Sequence, residues 1–98
     1  SYEGGEFITK PLNFVGSQLR LNVSTSAVGS VRVEIQQADG KVIPGYELSN
    51  CPDLYVDKLD VPVSWKQGTD VSRLAEKTIR LRFELKDADL YALRFVNP

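Results

Sequence analysis

The stretch that decides the fold class is Thr78-Ile79-Arg80-Leu81-Arg82-Phe83-Glu84-Leu85-Lys86. Its apolar residues fall at every second position and alternate with charged ones, which predicts a β-strand with one buried and one solvated face. A helix would need apolar residues three and four positions apart. The same alternation occurs over residues 18–26 and 30–38. We expect the core to contain Leu21, Val23, Val33, Ile35, Trp65, Leu81 and Phe83.

Turn signals separate the predicted strands. Ala38-Asp39-Gly40-Lys41 predicts a tight hairpin turn, because Asp-Gly tolerates the positive φ angles of primed turns. Ala27-Val28-Gly29 is expected to bend the chain between the first two strands, again with glycine at the bend. Asp87-Ala88-Asp89 is expected to turn the chain into a last strand over residues 90–96, with Tyr91 in its inward-facing phase.

The remaining segments complete an all-β pattern. Residues 59–66 predict a strand in which Trp65 shares its phase with two valines. Pro62 lacks an amide donor, so this strand is expected at an edge of the sheet or at a bulge. Residues 70–76 begin with good capping residues and predict a short helical turn.

Together these segments predict an all-β fold, an antiparallel two-sheet β-sandwich or jelly roll with one short helical turn. The 98 residues suit a single domain spanning 1–98. Residues 1–5, Ser-Tyr-Glu-Gly-Gly, are interpreted as a linker remnant. Because the chain contains no methionine, we expect that it is processed or excised from a longer protein.

Composition excludes several classes of function. The net charge of −1, from 12 basic and 13 acidic residues, gives no electrostatic reason to expect a nucleic acid or a membrane as partner. The absence of histidine removes the usual general base and metal ligand, and Cys51 has no standard catalytic partner. We therefore expect no catalytic residues and no cofactor. Asp87 and Asp89 are candidates for a Ca²⁺ site, but aspartate also stabilises turns, and that interpretation is favoured.

Two sets of residues are candidates for ligand binding. Tyr46 and Tyr55 lie in the predicted loop over residues 45–59, where an exposed ring could stack on a sugar. The alternative is that they hold the loop against the core. The solvated strand faces also carry guanidinium forks that could grip a polysaccharide, especially an acidic one. The candidates on these faces are Arg32, Arg80 and Arg82. Cross-strand pairing of arginine with glutamate is the favoured alternative for them.

A series of motifs runs along the chain in order. They are Gly5-Glu6-Phe7-Ile8-Thr9-Lys10-Pro11-Leu12, Leu21-Asn22-Val23-Ser24-Thr25-Ser26, Gly29-Ser30-Val31-Arg32-Val33-Glu34-Ile35-Gln36, Asp39-Gly40-Lys41-Val42-Ile43-Pro44-Gly45, Val63-Ser64-Trp65-Lys66, Asp70-Val71-Ser72, and Ile79-Arg80-Leu81-Arg82-Phe83 leading to Lys86-Asp87-Ala88-Asp89-Leu90-Tyr91. This pattern resembles the C-terminal accessory domain of bacterial proteins related to glycoside hydrolases, similar to the C-terminal β-sandwich of family 32. The resemblance covers residues 5–95 and is weakest over residues 51–62.

The resemblance implies a noncatalytic module that follows a β-propeller catalytic domain in a secreted bacterial protein. It implies no particular sugar and no binding residues. We therefore expect an extracellular or periplasmic carbohydrate-binding module whose partners are a polysaccharide and the adjoining catalytic domain. The alternative is a structural module that packs against the propeller and binds no sugar. An immunoglobulin-type interaction domain would fit the strands, but the chain lacks the Cys…Trp…Cys frame of that class.

Overall fold

The computed structural model describes residues 5–54 and 58–98. The strands are β1 Gly5–Ile8, β2 Gln18–Gln37, β3 Lys58–Pro62 and β4 Ile79–Val96. The described residues also form two 3-10 turns, Leu48–Asn50 and Ser72–Leu74. The all-β, antiparallel class is thereby confirmed, and the second 3-10 turn lies in the segment predicted to be a helical turn. No helix in this part of the chain is long and apolar enough to cross a membrane.

The four strands form one antiparallel sheet in the order β1-β4-β2-β3. Strand β1 pairs with residues 82–85 of β4, whereas β3 pairs with residues 20–23 of β2, so each short strand extends a different half of the sheet. Below, the β1 half is β1 with residues 30–37 and 79–86, and the β3 half is β3 with residues 18–25 and 88–96. A division into two packed sheets stays a prediction.

The two turns predicted at residues 27–29 and 87–89 are not present. Strands β2 and β4 continue through both segments, and they form one bulge where the segments meet. Thr25 lies opposite Ala88 and Ser30 opposite Lys86, so residues 26–29 of β2 face only Asp87 of β4. The chain therefore keeps its direction, and the prediction of turns here is wrong. Aspartate favours a bulge for the reason that it favours a turn, since it tolerates positive φ angles. Asp87 has a φ angle of 48°.

Gly29 is required at this bulge by its contact with the opposite strand. A Cβ atom at this position would lie 2.7 Å from the carbonyl oxygen of Lys86 and would overlap that of Asp87. The hydroxyl of Ser26 also donates a hydrogen bond to the Asp87 carboxylate across the bulge. The close approach of the two backbones thus depends on a residue without a side chain.

A second bulge overturns the prediction that Tyr91 faces the core. Asn22 lies opposite Ala92, but Val23 lies opposite Leu90, so Tyr91 is the extra residue of β4. The side chains on either side of an extra residue stay on their faces, while the extra residue leaves the alternation. As a result, Tyr91 is 65% exposed.

One hydrophobic cluster forms the core. It contains all seven residues predicted from the alternation, namely Leu21, Val23, Val33, Ile35, Trp65, Leu81 and Phe83. Strand β3 lies at an edge of the described sheet, as Pro62 predicted. The hairpin predicted at Asp39-Gly40 is also present, since the backbone N–H of Gln37 donates a 2.7 Å hydrogen bond to the carbonyl oxygen of Lys41.

In the β1 half, one edge of β2 pairs with β4, and side chains satisfy part of the backbone hydrogen bonding along the other edge. Val31 and Ile35 bond there to backbone groups of the loop that follows β2. Between them, the N–H of Val33 donates to the Cys51 sulfur at 3.4 Å, and its carbonyl accepts from the Trp65 indole at 2.9 Å. Because buried backbone groups need partners, these two side chains substitute for a strand neighbour at this position.

Candidate functional site

The predicted arginines of the β1 half lie on one face of two neighbouring strands, and each has a polar partner. Arg32 pairs with Glu84 at 2.9 Å and Arg82 with Glu6 at 2.6 Å. The hydrogen bond to its glutamate raises the pKa of each of these two arginines above the usual value. Arg80 donates through Nε to the Gln36 side chain at 2.6 Å. The pairs of Arg32 and Arg82 are the arginine–glutamate contacts that the favoured alternative predicted, whereas Arg80 contacts a glutamine.

A buried glutamate anchors this network. Glu34 is only 6% exposed. Its carboxylate accepts hydrogen bonds from the Gln36 amide at 2.8 Å and from the backbone N–H of Leu48 at 3.3 Å, and it lies 3.6 Å from the Arg82 guanidinium. The first 3-10 turn thus covers part of the polar face. The face is therefore a paired and partly covered surface and not a flat array of free forks.

The structure places Tyr46 in the core, with 2% of its surface exposed. Its hydroxyl donates to the Asp70 carbonyl oxygen at 2.9 Å, and its ring meets that of Trp65 edge-on at 5.2 Å. The ring is thus not available to stack on a sugar, and the interpretation that it holds the loop against the core is correct. Tyr55 lies outside the described residues.

Cys51 lies at the wall of a polar cleft of ≈ 520 Å³, whose lining also includes Arg32 and Lys66. Burial raises the pKa of its thiol, and the sulfur already accepts a hydrogen bond from the backbone N–H of Val33. A neutral, buried thiol is a poor nucleophile and a poor metal ligand. The role of Cys51 is therefore structural, since its sulfur provides a hydrogen-bond acceptor for Val33 of β2.

The Ca²⁺ candidates Asp87 and Asp89 both lie on β4 and do not mark a turn between strands. Asp87 lies in the bulge opposite Gly29, and its carboxylate accepts a hydrogen bond from the Ser26 hydroxyl. Across residues 5–54 and 58–98, no group of three or more acidic or cysteine side chains is arranged to hold a metal ion. The structural role of Asp87 is to shape the bulge.

The β3 half carries a second polar cluster, which is built around Asp60. Asp60 has a φ angle of 66°, a left-handed conformation that aspartate tolerates better than most residues. Arg20 of β2 bonds it twice, through Nε to Oδ1 at 2.9 Å and through Nη2 to the backbone carbonyl at 2.8 Å. Arg94 of β4 lies opposite Arg20 and bonds Oδ2 of the same carboxylate at 2.8 Å. Three strands thus contribute to one cluster.

This cluster lines a cavity of ≈ 200 Å³ on the outer face of the sheet. The lining residues are Arg20, Leu21, Asn22, Asp60, Ala92, Leu93 and Arg94. Asn22 lies opposite Ala92, so the small alanine side chain leaves the space open. The Oδ1 atom of Asn22 is buried and has no hydrogen-bond partner among the described residues. Buried acceptors in proteins nearly always have a partner, so this atom marks the cavity as a candidate binding site.

The electrostatics of the cavity follow from its two arginines. Hydrogen bonds from Arg94, and then from Arg20, lower the pKa of Asp60 below its usual value. The carboxylate therefore stays ionised and holds both guanidinium groups in place. Arg94 remains largely solvent-accessible, with 62% of its side chain exposed. The cavity offers fixed cationic donors, two kinds of oxygen acceptor and an apolar floor.

None of the residues of this cluster was among the predicted binding residues. Arg20 and Asn22 are in the solvated phase of the first predicted strand, where the alternation puts them. Asp60 and Arg94 were missed. Arg94 lies in the solvated phase of the last predicted strand, between the inward-facing Leu93 and Phe95, and this signal could have indicated it. No local signal gives the left-handed conformation of Asp60.

No protein-family model matches the chain, and no curated protein and no solved structure is significantly similar to it. The function is therefore inferred from the residues of the site itself. The resemblance to glycoside-hydrolase accessory domains stays a prediction.

Proposed function

We propose that the chain is a noncatalytic accessory β-sandwich of a secreted carbohydrate-active enzyme, and that it binds polysaccharide in the cavity formed by Arg20, Asn22, Asp60 and Arg94. The observation that carries the proposal is this cavity, in which three strands bring fixed donors and an unpartnered acceptor together. The accessory role itself comes from the resemblance of the sequence motifs.

The chemistry of the cavity suits a sugar. Each sugar hydroxyl can donate one hydrogen bond and accept others, so a sugar ring is matched by a wall that mixes donors with acceptors. Arg94 supplies donors and Asn22 supplies an acceptor, while Ala92 offers an apolar contact to C–H groups. The volume of ≈ 200 Å³ is below the roughly 300–1,000 Å³ of pockets for drug-sized ligands. A single unit of a longer glycan fits this description.

The same cluster supports a noncatalytic role. Glycoside hydrolysis uses two carboxyl groups, one of which must carry a proton and therefore has a raised pKa. The carboxylate that lines the cavity is Asp60, and its pKa is lowered by Arg94 and Arg20. A carboxylate held ionised by two arginines is unsuited to act as the general acid. Binding without chemistry is the function that this arrangement favours.

The test is affinity electrophoresis of the chain in gels that contain single neutral or acidic polysaccharides, followed by calorimetry on those that retard it. We expect dissociation constants of about 10 μM to 1 mM, typical of a few exposed contacts. Arg94→Ala and Asn22→Ala should each weaken binding about tenfold, which is about 1.4 kcal/mol. Arg82→Ala is the matched control, since Arg82 is an ion-paired arginine on the other half of the same sheet.

The controls separate loss of binding from loss of fold. Asn22→Ala removes an oxygen that has no described partner, so it should leave the melting temperature unchanged or raise it. If Arg82→Ala abolishes retardation while Arg94→Ala does not, the binding face is the β1 half and the assigned cavity is wrong. If no polysaccharide retards the wild-type chain, carbohydrate binding is wrong altogether.

The edge of β4 over residues 90–96 favours a second candidate, a structural module. Among the described residues, strand β1 covers β4 only at residues 82–85, so no described strand lies against this edge. Tyr91 is exposed there, with Leu93 and Phe95 partly buried beside it. In this role the edge packs against the catalytic β-propeller of the parent chain. The chain would then bind no glycan and would raise the melting temperature of the separately produced propeller, and Tyr91→Lys would cancel that effect.

A further inference from the structure

The arginines of the cavity differ in how many of their N–H groups are occupied. Arg20 uses Nε and Nη2 on Asp60, and its Nη1 donates to the Gln18 side chain. Arg94 bonds the same carboxylate side-on, through Nε at 3.2 Å and Nη2 at 2.8 Å. Its Nη1 group has no partner among the described residues. Arg20 is therefore the anchor of the cluster, and Arg94 presents a free, oriented end to solvent.

The charge of the cavity favours an anion. Its lining contains two guanidinium groups and one carboxylate, which gives 2 − 1 = +1. The other lining residues are uncharged. Further along this face, Asp89 lies opposite Ser24 and outside the lining, and it already takes part in another interaction. A hydrogen bond between a guanidinium and an anionic oxygen is about twice as strong as one between neutral groups.

The two halves do not differ in the sign of their charge. The polar face of the β1 half carries four cationic side chains and three carboxylates, which gives 4 − 3 = +1, from Arg32, Arg80, Arg82, Lys86, Glu6, Glu34 and Glu84. They differ in pairing, because Arg32 and Arg82 each bond a glutamate of their own, whereas Arg20 and Arg94 share the single carboxylate of Asp60. An acidic ligand therefore meets a less neutralised pair of guanidinium groups at the cavity.

From these observations we infer that the ligand of the cavity is an acidic polysaccharide, and that a uronic acid carboxylate docks on the free Nη1 edge of Arg94. The inference rests on the proposed carbohydrate binding and adds to it the class of sugar and the residue that selects it. Asn22 and Asp60 then accept hydrogen bonds from hydroxyl groups of the same sugar unit. A planar guanidinium matches a carboxylate in geometry as well as in charge.

The experiment compares two polymers that differ only in charge. Polygalacturonate and its fully methyl-esterified form have the same sugar chain, but the ester carries no carboxylate charge. By calorimetry we expect the acid form to bind at least about tenfold more tightly at low salt. This advantage should shrink as the ionic strength rises through about 0.1 M, where charges are screened beyond about 10 Å.

Two variants locate the selectivity. Arg94→Gln should remove the preference for the acid form, and Arg94→Lys should keep part of it, because lysine retains the charge but loses the fork. Arg82→Gln, on the β1 half, should leave the preference unchanged. Melting temperatures confirm that each variant is folded. A preference lost equally in Arg82→Gln would mean that the anion does not dock at Arg94, and the inference would be wrong.

The outcomes also separate this inference from the proposed function. If neutral polysaccharides bind, and the acid and ester forms bind equally or not at all, the chain binds carbohydrate but the acidic class is wrong. If dextran sulfate, which carries no carboxylate, binds and polygalacturonate does not, the anion is a sulfate and the carboxylate assignment is wrong. If none of these polymers binds, both proposals are wrong.

Discussion

Replacement of Trp65 by phenylalanine tests how the second edge of β2 is completed. Trp65 is 2% exposed, and its indole donates a 2.9 Å hydrogen bond to the carbonyl of Val33. Phenylalanine keeps an apolar ring in the core but removes the donor. A buried acceptor left without its partner costs about 1–3 kcal/mol. The smaller ring also leaves a cavity, since Trp65 is buried and Tyr46 packs edge-on against it with the ring centroids 5.2 Å apart.

These costs are large for a domain of 98 residues, whose total stability is about 5–15 kcal/mol. At about 4–8 °C per kcal/mol, Trp65→Phe should lower the melting temperature by at least about 4 °C. Trp65→Ala should cost about 3–5 kcal/mol and leave little folded protein at physiological temperature. Circular dichroism is the suitable assay, because the chain has a single tryptophan and the variants lose its fluorescence.

The matched control is Tyr91→Phe, which removes a polar group from an aromatic ring that is mostly exposed. Such surface changes usually stay within about 0.5 kcal/mol. If Trp65→Phe melts together with wild type and with Tyr91→Phe, the indole does not satisfy Val33. The view that side chains complete this edge would then be refuted.

Two other substitutions test the bulge and the cluster around Asp60. Gly29→Ala should lower the melting temperature, because its Cβ would overlap the carbonyl oxygens of Lys86 and Asp87, and a melting curve equal to that of wild type would contradict the close approach. Asp60→Asn should melt below wild type at neutral pH, because Arg94 and Arg20 lower the pKa of Asp60 and so favour the folded state. That contribution is complete above the unfolded pKa of about 3.9 and is lost as the pH falls through the lower folded value, so the gap should close in acid; a gap independent of pH would exclude the ion pairs.

The core could be predicted because burial follows a local rule. In residues 79–85 of β4 and 31–35 of β2, each apolar residue of the alternation is buried, and no bulge interrupts either run. The edge position of β3 was likewise predictable from Pro62 alone, since a missing N–H acts at one residue. Where one residue decides the outcome, the sequence is sufficient.

The bulges could not be predicted, because they depend on the pairing of two distant strands. Gly29 and Asp87 signal a departure from regular structure, but the direction of the chain after it depends on which strand lies opposite. Tyr91 illustrates the consequence. One extra residue on β4 moves its ring from the core to solvent, although the alternation around it looks regular.

The candidate site is nonlocal for the same reason. Arg20, Asp60 and Arg94 come from three strands, and only the register of those strands places them together. Arg32 and Arg82 look equivalent to Arg20 in the sequence, since all three occupy solvated strand positions. The difference is the neighbour across the strand, which is a glutamate for Arg32 and another arginine for Arg20.

The pairing of two like charges explains how the fold prepares the site. Arg20 and Arg94 lie opposite each other and would repel, which destabilises a strand pair unless an anion lies between them. Asp60 supplies that anion, and its left-handed backbone lets Arg20 bond its carboxylate and its carbonyl together. Arg94 is therefore oriented before any ligand arrives. Binding then avoids the ordering of a long side chain, which otherwise costs about 0.5–1.5 kcal/mol.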